Sequence, residues 1–316
     1  MQYDRFGFPV PPEFEPPARQ DPLPGERPEP VGPRRAGGGK RLVVVALLLG
    51  VVVPAVLLPA VMPAVREGVV RWSLERAIRR EGRGALAEAI GDVSRAIAWE
   101  GAAVAADPQR KSQLLCWRAM LSIENRDVTA ALEDADLAAS ITPTAVQPQR
   151  VRALAAVMRG DADAALAAAQ LAVDLAGPTD PEALNHRAYI RALVGRDLEA
   201  ALEDIERALQ GSGANSPEFL DTRGFILHLL GRQQEALADL NLAIDGAQAE
   251  RRRLLLLSGH VDSGELAYRL RSADHGLAVM HHHRGLACQA LGLRGQAEQD
   301  FALAEKKGFD PARGIF

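Results

Sequence analysis

Residues 222–244 read TRGFILHLLGRQQEALADLNLAI. Apolar residues recur at helical spacing on both sides of Gly231, which predicts two helices joined by a turn at that glycine. Gly224 lies on the first predicted helix, and Ala236, Leu240 and Ala243 share one face of the second. Small residues at these positions allow two helix backbones to approach closely. The stretch therefore predicts a tightly packed helical hairpin.

The same pattern of small residues recurs along the chain. Five further alanines correspond to Ala236, at positions 89, 131, 165, 201 and 297, so that successive spacings are 42, 34, 36, 35 and 61 residues. Each hairpin of this kind leaves an apolar face that its neighbour must cover, so the hairpins are expected to stack. The spacing of 61 residues is one period plus an insertion at about residues 245–280.

With turn glycines in register, this pattern resembles the tetratricopeptide repeat (TPR) family over residues 70–311. The resemblance implies an all-α solenoid whose first helices line a groove. The chain departs from the family pattern because most copies lack the first-helix Trp and several lack the closing Pro, which leaves five or six hairpins open. We expect the solenoid to occupy residues 66–316, with lengthened helices in the insertion. Its leucines at 254–257 are expected to pack against the preceding hairpin, the alternative being a contact with a membrane surface.

Composition supports a helical protein. Aromatic residues are only 4% of the chain, and Ala and Leu, which enter helices at little cost, are abundant. A net charge of −4 gives no strong electrostatic attraction to nucleic acid, so no nucleic-acid partner is expected. Cys116 and Cys288 are far apart in a linear array, and we expect buried thiols rather than a disulfide.

The first 65 residues predict a tail and a membrane anchor. Ten prolines within residues 9–33 forbid a helix there, so residues 1–41 are expected to be a disordered, proline-rich tail. Residues 42–65 contain no charged side chain and are long enough to cross a bilayer as one helix. Basic residues crowd the amino-terminal flank, which favours a cytoplasmic tail and an extracytoplasmic carboxyl-terminal domain. They are Arg34, Arg35, Lys40 and Arg41.

No enzyme signature emerges, so no catalysis and no cofactor are expected. The chain lacks a phosphate-binding loop, an HExxH motif and paired CxxC motifs. The acidic residues Glu199, Glu203, Asp204 and Glu206 are interpreted as a solvated helix face. His281–His283 suggest a metal site, but three consecutive helical residues point in different directions, which favours a helix surface without metal.

The groove is the remaining candidate site. Members of the TPR family that bind carboxyl-terminal peptides use Lys and Asn residues from adjacent first helices, and this clamp is not reproduced here. Tyr189 and Phe225 instead predict an apolar strip suited to a peptide or helix with hydrophobic anchors. The groove residues predicted through the repeat are Arg150, Asn185, Tyr189, Glu218, Asp221, Phe225, His228 and His282.

These features predict a membrane-tethered scaffold or adaptor that holds a protein or peptide partner in the groove and has no small-molecule substrate. The alternative is a structural accessory subunit of a larger membrane or envelope-assembly complex. In that case the array would pack permanently against other subunits.

Overall fold

The computed structural model describes residues 53–101, 107–212, 216–257 and 259–309. In these ranges the chain is all-α, with twelve helices and no strand. The helices are α1 (Val53–Glu81), α2 (Leu86–Gly101), α3 (Pro108–Glu124), α4 (Val128–Ile141), α5 (Val146–Arg159), α6 (Ala162–Ala176), α7 (Pro181–Val194), α8 (Leu198–Ser212), α9 (Pro217–Leu229), α10 (Gln233–Leu256), α11 (Ser263–Ala290) and α12 (Arg294–Lys306).

Consecutive helices form six hairpins within the described residues, from α1–α2 to α11–α12, and each hairpin packs on the next. The prediction of an all-α helical solenoid is confirmed. The small residues act as the pattern predicts: Ala131, Ala165, Ala201 and Ala236 are completely buried. At Gly224 a Cβ would lie 2.6 Å from Leu240 Cγ, so only glycine permits the observed approach of α9 to α10.

One turn residue departs from the repeat. Gly231 joins α9 to α10 with a φ of 77°, in the left-handed region that glycine enters without a steric penalty. The equivalent residue between α3 and α4 is Arg126, which has a φ of 67°. An L-residue rarely adopts this conformation, so the chain holds a locally strained arginine where four of the other turns have a glycine at the same distance from the second-helix alanine.

A second repeating feature was missed from the sequence. In five of the six hairpins, an Asp on the second helix pairs with an Arg 16 or 17 residues earlier on the first. These pairs are Arg76–Asp92, Arg118–Asp134, Arg187–Asp204, Arg223–Asp239 and Arg284–Asp300. The hairpin α5–α6 has Ala168 at the Asp position. The prediction that Asp204 belongs to a solvated face was therefore wrong, because its carboxylate is buried between two arginines.

The insertion lengthens α10 and α11, and α11 crosses the array to reach α1. At Gly82, just after α1, a Cβ would lie 2.8 Å from the backbone nitrogen of Tyr268, so the two backbones touch. Arg271 on α11 forms an ion pair with Glu124 on α3, with 2.6 Å between Nη2 and Oε2. The last hairpin is therefore in contact with the first two.

The predicted packing of the leucines at 254–257 was wrong. Leu256 is 81% exposed, and Leu255 and Leu257 are also exposed. They lie at the end of α10, where the helix extends past the body of its hairpin, so no neighbouring helix covers them.

The predicted tail at residues 1–41 and residues 42–52 of the predicted membrane span lie outside the described residues. Residues 53–65 begin α1, which continues without interruption to Glu81. In the part of the chain that the structure describes, no helix combines the length and the apolar character that a membrane crossing requires. The single-pass anchor stays a prediction.

Candidate functional site

The groove is formed by the first helices of four successive hairpins. Residues of α3, α5, α7 and α9 line one wall, and α11 forms the opposite wall. The cavity between them has a volume of about 130 Å³. This small volume follows from the course of α11, which occupies most of the space that the first helices enclose.

Five of the eight predicted groove residues line this cavity. They come from three different helices: Arg150, Asn185, Tyr189, Glu218 and Asp221. The repeat thus brings together residues that are up to 71 positions apart. The assignment of these residues as a binding site stays a prediction.

Asn185 has the least satisfied polar group of the groove. Its Oδ1 is buried, and no hydrogen-bond donor of the described residues reaches it. A buried carbonyl oxygen without a donor costs about 1–3 kcal/mol. A bound molecule that offers an N–H or O–H group would remove this cost.

An aromatic cluster stands beside Asn185. The ring of Phe225 stacks on His283 of α11, with 4.1 Å between the ring centres and an angle of 11°. Tyr189 approaches both rings, with 6.5 Å between centres in each case. Tyr189 lines the cavity, whereas Phe225 is absent from its lining and packs against α11. Phe225 therefore supports the wall of the groove instead of forming the predicted open strip.

The remaining two predicted residues lie elsewhere. His228 is at the turn between α9 and α10, where its Nδ1 is 2.8 Å from Gln233 Oε1. His282 stacks on Phe309, which follows α12, with 4.3 Å between ring centres. By the repeat, His282 occupies the position of Asp221, which faces the next hairpin. Since no hairpin follows α12 in the described residues, Phe309 covers this position instead.

The triple-histidine segment is not a helix surface, contrary to expectation. His281 and His283 are buried, and His281 pairs with Asp300 at 2.9 Å between Nδ1 and Oδ1. His283 Nδ1 lies 3.0 Å from Asp221 Oδ1, so this groove carboxylate is engaged by α11. Among the described residues, no three His, Cys, Asp or Glu side chains are placed to hold a metal ion.

Acidic groups near the groove are poorly solvated. Burial raises the pKa of Glu182, and the nearby charge of Glu218 raises it further, although Arg150 opposes both effects. Arg150 Nη2 lies 3.9 Å from Glu182 Oε2. Burial also holds the pKa of His186 well below its usual value, and its Nε2 lies 3.0 Å from the carbonyl oxygen of Arg150. The ring of His186 is therefore neutral at physiological pH.

Sequence reasoning missed the contribution of α11 to the groove. The cavity residues from this helix are His275, Gly276, Val279 and Met280. The only available signal was the length of the insertion, which predicts long helices but not the direction in which they run.

No protein-family model matches this chain. No curated protein matches it either. Solved structures do show similarity. A tetratricopeptide repeat protein from Parabacteroides merdae shares 18% sequence identity over 78% of this chain and 95% of its own, with a TM-score of 0.44. A thermophilic TPR protein of Thermus thermophilus shares 21% identity over 65% of this chain and 98% of its own, with a TM-score of 0.47. YrrB, a TPR protein with an unusual peptide-binding site, shares 15% identity over 64% of this chain and 89% of its own, with a TM-score of 0.35.

Proposed function

We propose that this chain is a membrane-tethered scaffold that holds a protein partner through its groove. The observation that carries the proposal is Asn185, whose buried Oδ1 has no donor among the described residues and lies in a cavity lined by successive first helices. An extended peptide supplies backbone N–H groups at regular intervals, and one of them would satisfy this oxygen. Tyr189 beside it provides an apolar surface for a partner side chain.

The membrane anchor is the second part of the proposal. The apolar, uncharged character of residues 42–65 supports it. Because α1 continues from Val53 into the first hairpin, the anchor would hold the solenoid on a continuous helix. Tethering would concentrate the bound partner at the membrane, with the solenoid on the extracytoplasmic side. A full-length chain that is released from membranes by alkaline carbonate would contradict this part alone.

The groove is tested by Asn185→Leu. This change replaces the unsatisfied oxygen by an apolar group of similar volume, so stability is expected to stay equal or to rise by about 1 kcal/mol. Capture of partners by the full-length protein in detergent is expected to fall strongly, as measured by affinity purification with mass spectrometry. Tyr189→Ala should reduce the same partners. Unchanged capture by both variants would reject the groove as the binding site.

One observation favours the alternative role of an accessory subunit. Leu137, Leu171 and Leu242 occupy equivalent positions on α4, α6 and α10, and all three are exposed on helices that do not line the groove. If this outer face is a permanent interface, replacing all three leucines with Ser should abolish a stoichiometric complex that Asn185→Leu leaves intact. The two sets of variants therefore separate the two roles.

A further inference from the structure

A second and larger cavity lies where the last hairpin meets the first ones. Its volume is about 720 Å³, and its walls come from α3, α11 and α12 and from the turns that follow α1 and α3. It is bounded by the contact between Gly82 and the backbone of α11 and by the ion pair of Arg271 with Glu124. It exists because α11 crosses to α1, so none of the groove predictions includes it.

This cavity is positively charged in a protein whose net charge is −4. Two carboxylates line it, and both are engaged: Glu124 by Arg271, and Asp274 by Lys307 and Arg251. Five basic side chains line it, so the lining has an excess of three positive charges. The basic residues are Arg83, Arg126, Arg271, Lys306 and Lys307.

Three of these cations stand at exposed positions around the cavity. Arg83 and Arg126 are in the turns after α1 and α3, and Lys306 is the last residue of α12. They converge from three hairpins on one space. Like charges repel at such a place, so an arrangement of this kind is most stable when an anion lies among them.

Arg126 provides an independent indication of function. It occupies the turn position at which four other hairpins have glycine, and its backbone is in the left-handed region with a φ of 67°. Glycine would relieve this strain, yet the chain has a large cation here that lines the cavity. Strain retained at a cavity is the pattern of a residue kept for binding instead of for stability.

The other walls of the cavity are apolar. Leu86, Ile123, Met158, Leu270 and Leu303 line it together with the cations. A simple inorganic ion would leave this apolar surface uncovered. The combination fits a molecule with an apolar or aromatic part and two or more anionic oxygens.

We propose that this cavity binds a small organic anion of the organic-phosphate class, held by Arg83, Arg126 and Lys306 around its phosphates. Arginine suits this role because its planar guanidinium can donate two hydrogen bonds to one phosphate. The ligand would contact both the first and the last hairpins. The proposal is independent of the groove and of any protein partner bound there.

Isothermal titration calorimetry of the full-length protein in detergent tests the proposal, with adenosine diphosphate and inorganic pyrophosphate as probes at low salt. Adenosine diphosphate is expected to bind saturably with a Kd below about 1 mM, and pyrophosphate more weakly because it leaves the apolar walls uncovered. Arg126→Gly should weaken binding of adenosine diphosphate at least tenfold. The same variant should unfold at an equal or higher temperature than wild type, so lost binding would not reflect lost structure.

A double variant gives a matched control for charge. Arg126→Gly with Lys306→Ala and Arg252→Ala with Arg253→Ala each remove two positive charges, but the second pair is exposed at the end of α10, away from the cavity. Only the first double variant should abolish binding. Equal weakening by both, absence of saturable binding by either probe, or binding of a tetraglutamate peptide alone would overturn the proposal.

Discussion

Arg187 on α7 and Asp204 on α8 form a bidentate ion pair, with 2.7 Å between Nε and Oδ2 and 2.6 Å between Nη2 and Oδ1. Arg191 adds a third contact to the same carboxylate at 2.6 Å. The Asp204 side chain is only 5% exposed. Both helices of the hairpin are therefore held at a fixed distance by one buried carboxylate.

Asp204→Ala is expected to destabilise the solenoid by about 3 kcal/mol, because it leaves two poorly solvated guanidinium groups without their carboxylate. The matched control is Asp163→Ala. Asp163 forms an ion pair of the same length with Arg196, 2.6 Å, but it is 88% exposed, and its loss should cost less than about 0.5 kcal/mol. Urea unfolding followed by circular dichroism measures both. Equal effects of the two changes would show that burial does not set the strength of these pairs.

Two mid-helix glycines should respond to alanine in opposite directions. At Gly91 on α2 an added Cβ meets nothing within 4 Å, so Gly91→Ala should stabilise the protein by about 0.5–1 kcal/mol through helix propensity. At Gly224 the Cβ would lie 2.6 Å from Leu240 Cγ and 3.2 Å from the carbonyl oxygen of Ala236. Forcing these helices apart should cost about 1–3 kcal/mol, more than the propensity gain. Thermal unfolding distinguishes the two signs, and a stabilising Gly224→Ala would contradict the observed helix approach.

His282 should make the solenoid less stable in mild acid. Burial lowers the pKa of His282 to about 4, and the charge of neighbouring His283 contributes to the same direction. As pH falls from about 6.5 to about 4, the unfolded chain takes up the proton before the folded one does, so stability is lost in this window. His282→Phe keeps an aromatic ring against Phe309 and removes the titration.

This variant should retain about 1–2 kcal/mol more of its neutral-pH stability at pH 4.5, a figure reduced from the full shift because the ring is partly solvated. Urea unfolding at pH 7 and at pH 4.5 gives the difference. An identical loss in wild type and His282→Phe would assign the acid sensitivity to other groups. His186, whose pKa is also lowered by burial, is the first of these.

Both cysteines should be unreactive in the folded protein. Burial, with a further contribution from the charge of Asp134, raises the pKa of Cys116 to about 12. At pH 8 the thiolate fraction is then about 1 in 10,000, and burial also blocks access. Cys288 is buried too, and burial raises its pKa. Intact-mass measurement after treatment with iodoacetamide should show no adduct in native protein and two adducts in denaturant. Rapid native modification of Cys116 would show that the α3–α4 hairpin opens.

The hairpins could be predicted because their determinants are local. Ala131, Ala165, Ala201 and Ala236 recur at nearly constant spacing, and each acts within a single pair of helices. The Arg–Asp pairs could also have been found in this way. Asp134, for example, lies three residues after Ala131, and its equivalents keep that distance from their own alanines. They were missed because an acidic residue on a helix was interpreted as solvated without a search for its partner in the same hairpin.

The fate of the predicted groove residues depended on contacts that no period describes. Asp221 and Phe225 are partly taken up by His283 on α11, and His282 is covered by Phe309. The exposed Leu256 shows the same limit, because an apolar side chain is buried only where another element reaches it.

From its sequence alone, this chain is determined to form helical hairpins that stack, because small residues at a fixed spacing act between neighbours only a few turns apart. Only the tertiary structure decided that α11 crosses to α1, narrows the groove and encloses a basic cavity. The physical reason is that the path of a solenoid accumulates from small rotations between successive hairpins. Whether its ends meet is therefore a property of the whole array, and no single repeat contains it.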